Sequence, residues 1–412
     1  MTTNAPSAEP ACPGTADADR PTEPANAPPV GAALRIEAVP FGAVPRATWD
    51  RLAGLNPWAT PFSSWAFQRA WWDAYGASAH DQTLVATRAG DADPIAIVPL
   101  MHRHEVEPDD EATASKIRHG DTGNLTPVPP TAKAVFFGAS YHADYATILA
   151  APADLPAVAA ALVEHLAAPD PSDPDHPAPW DAIDLRRLRC GDPAADALAS
   201  AFGRREMSEG WTLNLEREDV CPVVTFPEDV DFEGFLSTLD KKSRHEIRRK
   251  VRRAEAGGDV ALTASAEPLA DLEDFIDLHQ RRWGADGLFP PTPGGDASRL
   301  FMRRLFEESG PDGPVRLSFL TVGERRIAAG IHVATADTWM FYNAGIDPDA
   351  RELSPGVVLA ACYVRGALEA GMQRFDFLRG NEPYKYEWGS EDEPIQRLLV
   401  RRHEPPPGEA GR

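Results

Sequence analysis

The run over residues 353–389, LSPGVVLAACYVRGALEAGMQRFDFLRGNEPYKYEWG, constrains this chain more than any other. Ser354 can accept from the orphan amides of a first helical turn. Pro355 suits the first helical position, where no partner awaits its missing N–H. Val357, Val358, Ala361, Val364 and Leu368 recur at helical spacing, and Gly371 is placed to end the helix. Phe375, Asp376, Phe377 and Leu378 then read as a short strand carrying one acid. Gly380, Asn381, Glu382 and Pro383 turn the chain into Tyr384, Lys385, Tyr386, Glu387 and Trp388. Apolar periodicity does not require that much ionisable and aromatic chemistry in one loop.

A length of 412 residues allows two domains with ordinary cores, and a hydrophobic content of 43% is that of a globular protein. No apolar run approaches the ~20 residues of a membrane span. The first residues lack a basic segment followed by an apolar one, so no secretory signal is expected. Cys12, Cys190, Cys221 and Cys362 lie far apart with no paired spacing, which fits a reducing cytoplasm and gives no metal-ligand pattern. A formal charge of -22 argues against general nucleic-acid binding. An anionic ligand must therefore be met by a local basic patch.

Residues 1–32 are Pro, Ala, Thr and acid with almost no large apolar side chain, so a disordered tail is expected. A strand is expected over 34–39, an aromatic helix over 63–75, and a hairpin of strands 83–86 and 95–101. Loops follow over 105–113 and 120–131. The first half continues with a strand at 135–138, a helix at 155–166, a loop at 169–179, a strand at 182–185, a helix at 194–202 and a strand at 211–215. The second half runs similarly. Helices are expected over 232–256, 269–283 and 298–308, a hairpin over 315–322 and 327–334, a strand at 339–344 and a last strand at 395–402. Both halves thus read hairpin, strand, helix, strand, final strand, as a duplicated fold would. The boundary is placed at 220–227. That gives a first unit over 33–219, a second over 220–404 and a tail over 405–412.

Several pieces of the second half carry a family resemblance. They are Ser354-Pro355-Gly356 before a helix, Phe375 to Gly380 after it, Tyr384-Lys385, and Trp388-Gly389. Upstream, Lys242 and Arg244 in a basic helix, His279 to Trp283, and the hairpin at 317–331 also fit. The chain resembles GNAT-type acyltransferases, in particular the cellulose-biosynthesis (CelD-type) acetyltransferases and their Fem-like relatives. The resemblance covers residues 230–400 well. It implies an α/β (α+β) fold of two tandem GNAT-like domains with mixed, largely antiparallel sheets. It further implies acetyl-CoA or another acyl-CoA as co-substrate, no metal, and transfer to an amine of a small molecule or of a glycan or peptide precursor.

The residues offer three places for that chemistry. Phe232, Phe235, Leu236, Leu239, Ile247, Val251 and Ala254 make one apolar helical face, and a block of Lys and Arg covers much of the rest. Most of that block suits a solvated face, while Lys242 and Arg244 are candidates for contact with an anionic substrate. The start of the 355 helix has a partial positive charge suited to phosphate, and Gly356 leaves room for close approach. Through the resemblance, Ser354, Gly356, Val357 and Val358 become the acyl-CoA contacts. Asp376 between two Phe side chains is either a base tuned by burial or half of an ion pair with Arg379 or Lys385. Lys385 is a candidate for stabilising developing negative charge, a role the resemblance to Fem-like enzymes implies. Tyr384 or Tyr386 could donate a proton to a leaving thiolate. His279 and Trp283 share a helical face that either packs in the core or lines an acceptor pocket. Two other functions stay open: aminoacyl transfer from a charged tRNA, and a non-catalytic binding module.

Overall fold

The computed structural model describes residues 34–103, 125–129, 132–168 and 180–402. The expectations for 1–32, 105–113, 169–179 and 405–412, and most of 120–131, fall outside them. The first half supplies strands β1 (Leu34–Ala38), β2 (His80–Arg88), β3 (Pro94–Arg103), β4 (Ala134–Phe137), β5 (Leu149–Ala150), β6 (Ala182–Arg189) and β7 (Thr212–Thr225). The second supplies β8 (Val260–Ala264), β9 (Val315–Val322), β10 (Arg325–Ala334), β11 (Thr338–Ile346), β12 (Arg374–Asp376) and β13 (Glu391–Arg401). The helices are α1 (Arg46–Leu55), α2 (Trp65–Tyr75), α3 (Leu155–Ala167), α4 (Pro193–Glu209) and α5 (Phe232–Thr238). They continue with α6 (Lys241–Glu255), α7 (Pro268–Trp283), α8 (Pro293–Ser309), α9 (Pro355–Glu369) and α10 (Pro383–Tyr386).

One sheet joins these strands in the order β1-β2-β3-β4-β6-β13-β7-β12-β11-β10-β9-β8, with β5 on β3. Read inward from either edge, the pairing repeats. Three antiparallel pairs come first, then one parallel pair, then one antiparallel pair. From one edge these are β1-β2, β2-β3, β3-β4, β4-β6 and β6-β13. From the other they are β8-β9, β9-β10, β10-β11, β11-β12 and β12-β7. The sheet is thus mixed and largely antiparallel, and the tandem arrangement is visible in its pairing. Each half is completed by the other's last strand: β7 lies beside β12, and β13 beside β6. The chain stays in strand across the expected 220–227 boundary, because β7 pairs with β13 along most of its length and with β12 at its end.

Four apolar clusters cover the sheet, the smallest of them setting Trp49 and Leu52 of α1 against Val85, Ile97 and Leu149. In the first half, α3 and α4 pack through Leu162, Leu198 and Phe202. In the second, α5, α6 and α9 pack through Phe235, Ile247, Val358 and Val364. A third cluster spans the halves, bringing Phe67 and Trp71 of α2 against Phe301 and Leu305 of α8. The aromatic crowding of α2 is therefore core packing. β12 is only three residues long, but Phe375 on it and Phe377 just after it are buried. Each such ring contributes about 1.5–3 kcal/mol of burial.

Two local expectations are corrected. Residues 232–256 form two helices, because the Asp240 side chain accepts from the amides of Lys242 (2.8 Å) and Ser243 (3.1 Å) and starts a new helix there. Ser354 does not cap α9 with its side chain. It sits in the left-handed region at φ 54°, whereas a capping residue needs extended backbone, and its hydroxyl instead accepts from Arg253 at 2.5 Å. Among the described residues no helix is long and apolar enough to cross a membrane.

Candidate active site

The site begins where two parallel strands part. β11 and β12 pair only from Thr338 with Arg374 to Met340 with Asp376. Beyond this point β11 continues to Ile346 against β10, while Phe377 sends its amide to the Pro222 carbonyl (3.0 Å) and Leu378 turns left-handed at φ 57°. On β11, Ile331 faces Asn343 and His332 faces Phe341, so Tyr342 is the extra residue of a bulge. Breaking the strand alternation lets Phe341, Tyr342 and Asn343 all face one cavity of about 420 Å³. Its other walls are Gly356, Val357 and Leu359 at the start of α9, His279, Arg282 and Trp283 of α7, and the 377–385 loop. From the first half, Asp144 joins them.

A second cavity of about 380 Å³ shares Arg282, Ile346, Gly356 and Val357 with the first and continues around the tip of α9. Lys250, Arg351 and Ser354 line it. The first turn of α9 offers an anion few amides. Pro355 has none, and those of Val357 and Val358 both bond the Ser354 carbonyl at 3.1 Å. Cationic side chains and the helix's partial charge must supply the attraction. The two cavities adjoin across shared walls and line up as a groove, with Lys250 and Arg351 at one end and Phe341, Val357 and Leu359 further in.

The 377–385 loop is held from inside. Lys385 is buried, and its Nζ donates to three successive carbonyls, those of Leu378 (2.9 Å), Arg379 (2.8 Å) and Gly380 (3.0 Å). Glu382 lies 2.9 Å away as its ion-pair partner. The positive φ of Leu378 and Gly380 curls the backbone so that three oxygens meet one ammonium. Asp376 braces the same turn from behind. One carboxylate oxygen accepts from the Leu378 amide and the other from the Tyr145 hydroxyl, both at 2.7 Å. Burial pushes its carboxyl up to about 6, although those two bonds pull the other way.

These positions redistribute the expected roles. Gly356, Val357, Tyr384, Lys385, His279 and Trp283 do meet around one cavity, and Ser354 lines the adjoining one. Asp376 stands behind the wall with both oxygens engaged, and neither Arg379 nor Lys385 is its ion-pair partner. The Lys385 donors are spent on carbonyls, so its ammonium shapes the loop and does not face the cavity as a free donor. Val358 is buried in the core beneath α9. Tyr386 points its hydroxyl to Asp392 (2.7 Å) and does not line the cavity. Lys242 and Arg244 line neither cavity. Arg244 instead bonds the Ser237 carbonyl (3.0 Å), and the part of the basic helix that reaches the groove is Lys250. His279 is buried, with one ring nitrogen 3.2 Å from the Ala344 carbonyl and the other accepting from the Leu288 amide, which ties the ring into the cavity wall. Tyr384 exposes 38% of its surface at the cavity, yet the surrounding protein desolvates its phenol and raises it well above the usual value, with Glu382 adding to the rise.

Charged residues to which the sequence reading gave no part in the site also line the groove, among them Asp144, Arg282 and Arg351, and so does Arg379, expected only as a partner of Asp376. Burial pulls the Arg282 guanidinium down, opposed by Tyr384 and Glu382. Arg379 pairs with Asp144 at 3.2 Å, joining the two halves where the strands part.

The segment that supplies most of this groove is similar to a known domain family. Residues 241–386 match the family model described as an acetyltransferase (GNAT) domain. No curated protein matches the sequence. Among solved structures, that of FemX is similar over 86% of this chain and 96% of its own, with 9% identity and a TM-score of 0.54. A conserved protein of unknown function from Bacteroides thetaiotaomicron is similar over 89% and 99%, with 11% identity and a TM-score of 0.52. At such identities these likenesses speak for the fold.

Proposed function

We propose that this protein is an N-acyltransferase that uses acyl-CoA, with the donor lying in the groove between β11 and β12 and the acceptor entering at the Asp144 end. The observation that carries the reading is the pair of adjoining cavities with shared walls, cationic around α9 and apolar where the strands part, built largely from the segment that matches the acetyltransferase domain. The residues present fit such a donor. Lys250, Arg282 and Arg351 would hold its phosphates, Gly356 gives its chain close approach, and Phe341, Ile346, Val357 and Leu359 exclude water along its path. An acyl thioester supplies an activated carbonyl that an amine can attack directly. Asp144 and Glu382 are cavity-lining carboxylates able to take the ammonium proton. Tyr384, kept protonated by burial, can donate a hydrogen bond to the departing sulfur.

The reading assigns Asp376 and Lys385 to positioning and not to contact with the reacting atoms. It takes the acceptor to be a small amine or a cell-envelope precursor, and the setting to be the cytoplasm, where CoA thioesters are made. A charged tRNA is the less favoured donor, because the chain carries a formal charge of -22. Calorimetry with acetyl-CoA, followed by thiol detection of released CoA across a panel of amines, tests the proposal. One binding site and amine-dependent CoA release are expected. No binding of acetyl-CoA would overturn the reading, and binding of charged tRNA in its place would install the rival.

A further inference from the structure

Arg379 has a property that the transfer chemistry above does not use. Its side chain is 3% exposed and lines the cavity where β11 and β12 have parted. Asp144 lies 3.2 Å from its Nε as an ion-pair partner, yet neither Nε nor Nη2 makes a hydrogen bond. A guanidinium cannot shed its proton to escape burial, and an unmet charged donor in the interior is costly. The fold nevertheless fixes this one from three directions. Lys385 holds the Arg379 carbonyl at 2.8 Å, Asp376 holds the preceding amide at 2.7 Å, and the charge of Asp144 stands 3.2 Å from the guanidinium. A side chain so constrained, with its Nε–Nη2 edge buried and unmet at the cavity wall, is prepared for a planar anion, and the fork of an arginine matches a carboxylate with two parallel bonds.

We infer that the acceptor carries a carboxylate beside its reacting amine, with Arg379 binding the carboxylate and Asp144 facing the amine. The inference rests on the acyl-transfer reading of this cavity and narrows it to one acceptor class, amino acids or molecules ending in one. An ion pair of opposite charges 3.2 Å apart is the complement of a zwitterion whose own charges are separated by one or two carbons. A plain amine would leave the donor edge of Arg379 unmet, so the site discriminates against it.

The test is a set of matched pairs: free amino acids and their amides, titrated calorimetrically into the full chain with CoA present. At least one acid should bind tenfold or more tightly than its amide. Arg379→Lys keeps the charge and the pairing with Asp144 but loses the fork, and should weaken binding of that acid by about 10- to 100-fold while leaving the amide unaffected. Arg379→Met should erase the preference altogether. Equal binding of acids and amides, no binding of either, or a preference that survives both substitutions would overturn the inference and leave Arg379–Asp144 as a strut between the halves. Failure of the unmodified protein to bind acetyl-CoA would instead bring down the transfer reading on which it stands.

Discussion

Replacing Lys385 with methionine separates a structural ammonium from a catalytic one. The substitution keeps the length of the stem but removes the donors to Leu378, Arg379 and Gly380. A hydrogen bond to a charged group is worth about 1.5–3 kcal/mol, and each buried acceptor left bare costs about 1–3 kcal/mol. Glu382 contributes little, since 44% of its side chain is exposed and such pairs give about 0–1 kcal/mol. These contributions overlap, so the net loss should be about 3–5 kcal/mol, the range for breaking a buried charged contact. Denaturant unfolding should show a lower midpoint with an unchanged slope. Glu382→Gln, the control, should lose less than about 1 kcal/mol. Turnover should fall in Lys385→Met because Arg379 and Tyr384 lose their settings. A stability loss below about 1 kcal/mol together with abolished turnover would refute the clamp and return the ammonium to the chemistry.

Asp376 gives a pH signature. Its native carboxyl titrates at about 6 against an ordinary 3.8, so the folded state holds a proton that the unfolded state releases. Its contribution to stability is therefore present at about pH 4 and lost as pH rises through 6. The stability of the unmodified protein relative to Asp376→Asn should decline by about 3 kcal/mol over that window, and a rise or a flat difference would contradict the assignment. Gly356→Val should weaken acetyl-CoA binding about tenfold or more, since even a Cβ there meets Ile346 Cδ1 at 3.0 Å and the methyls narrow the neck between the cavities; unchanged affinity in calorimetry would mean that the donor does not pass that point. Lys250→Glu and Arg351→Glu should each weaken donor binding and flatten its salt dependence, whereas Arg244→Glu should leave both unchanged. Equal effects from all three would point to diffuse attraction in place of a phosphate seat.

What the sequence revealed was local. The spacing of Val357, Val358, Ala361 and Val364 marks α9, and Gly323 and Glu324 mark the β9–β10 hairpin, because helix and hairpin signals lie within a few residues. Asp240, followed by Ser243, was a legible cap, yet the apolar period running through Leu239 concealed the break. Residue types in the 376–386 loop were conspicuous, but their roles depended on partners no period reveals. Lys385 looks like a free cation until three carbonyls of its own loop are seen around it. Tyr145 meets Asp376, and Asp144 meets Arg379, across more than half the chain. The exchange of β7 and β13 between halves is of the same kind: either strand could have closed its own half by pattern alone, and only the three-dimensional pairing decides.

The most direct test of the account is a crystal structure with acetyl-CoA bound. The account predicts phosphates against Lys250 and Arg351 at the tip of α9, and the acetyl group between Asn343 and Leu378 where β11 and β12 separate. A donor bound at any other surface, or one whose acetyl group points away from Asp144 and Arg379, would contradict it.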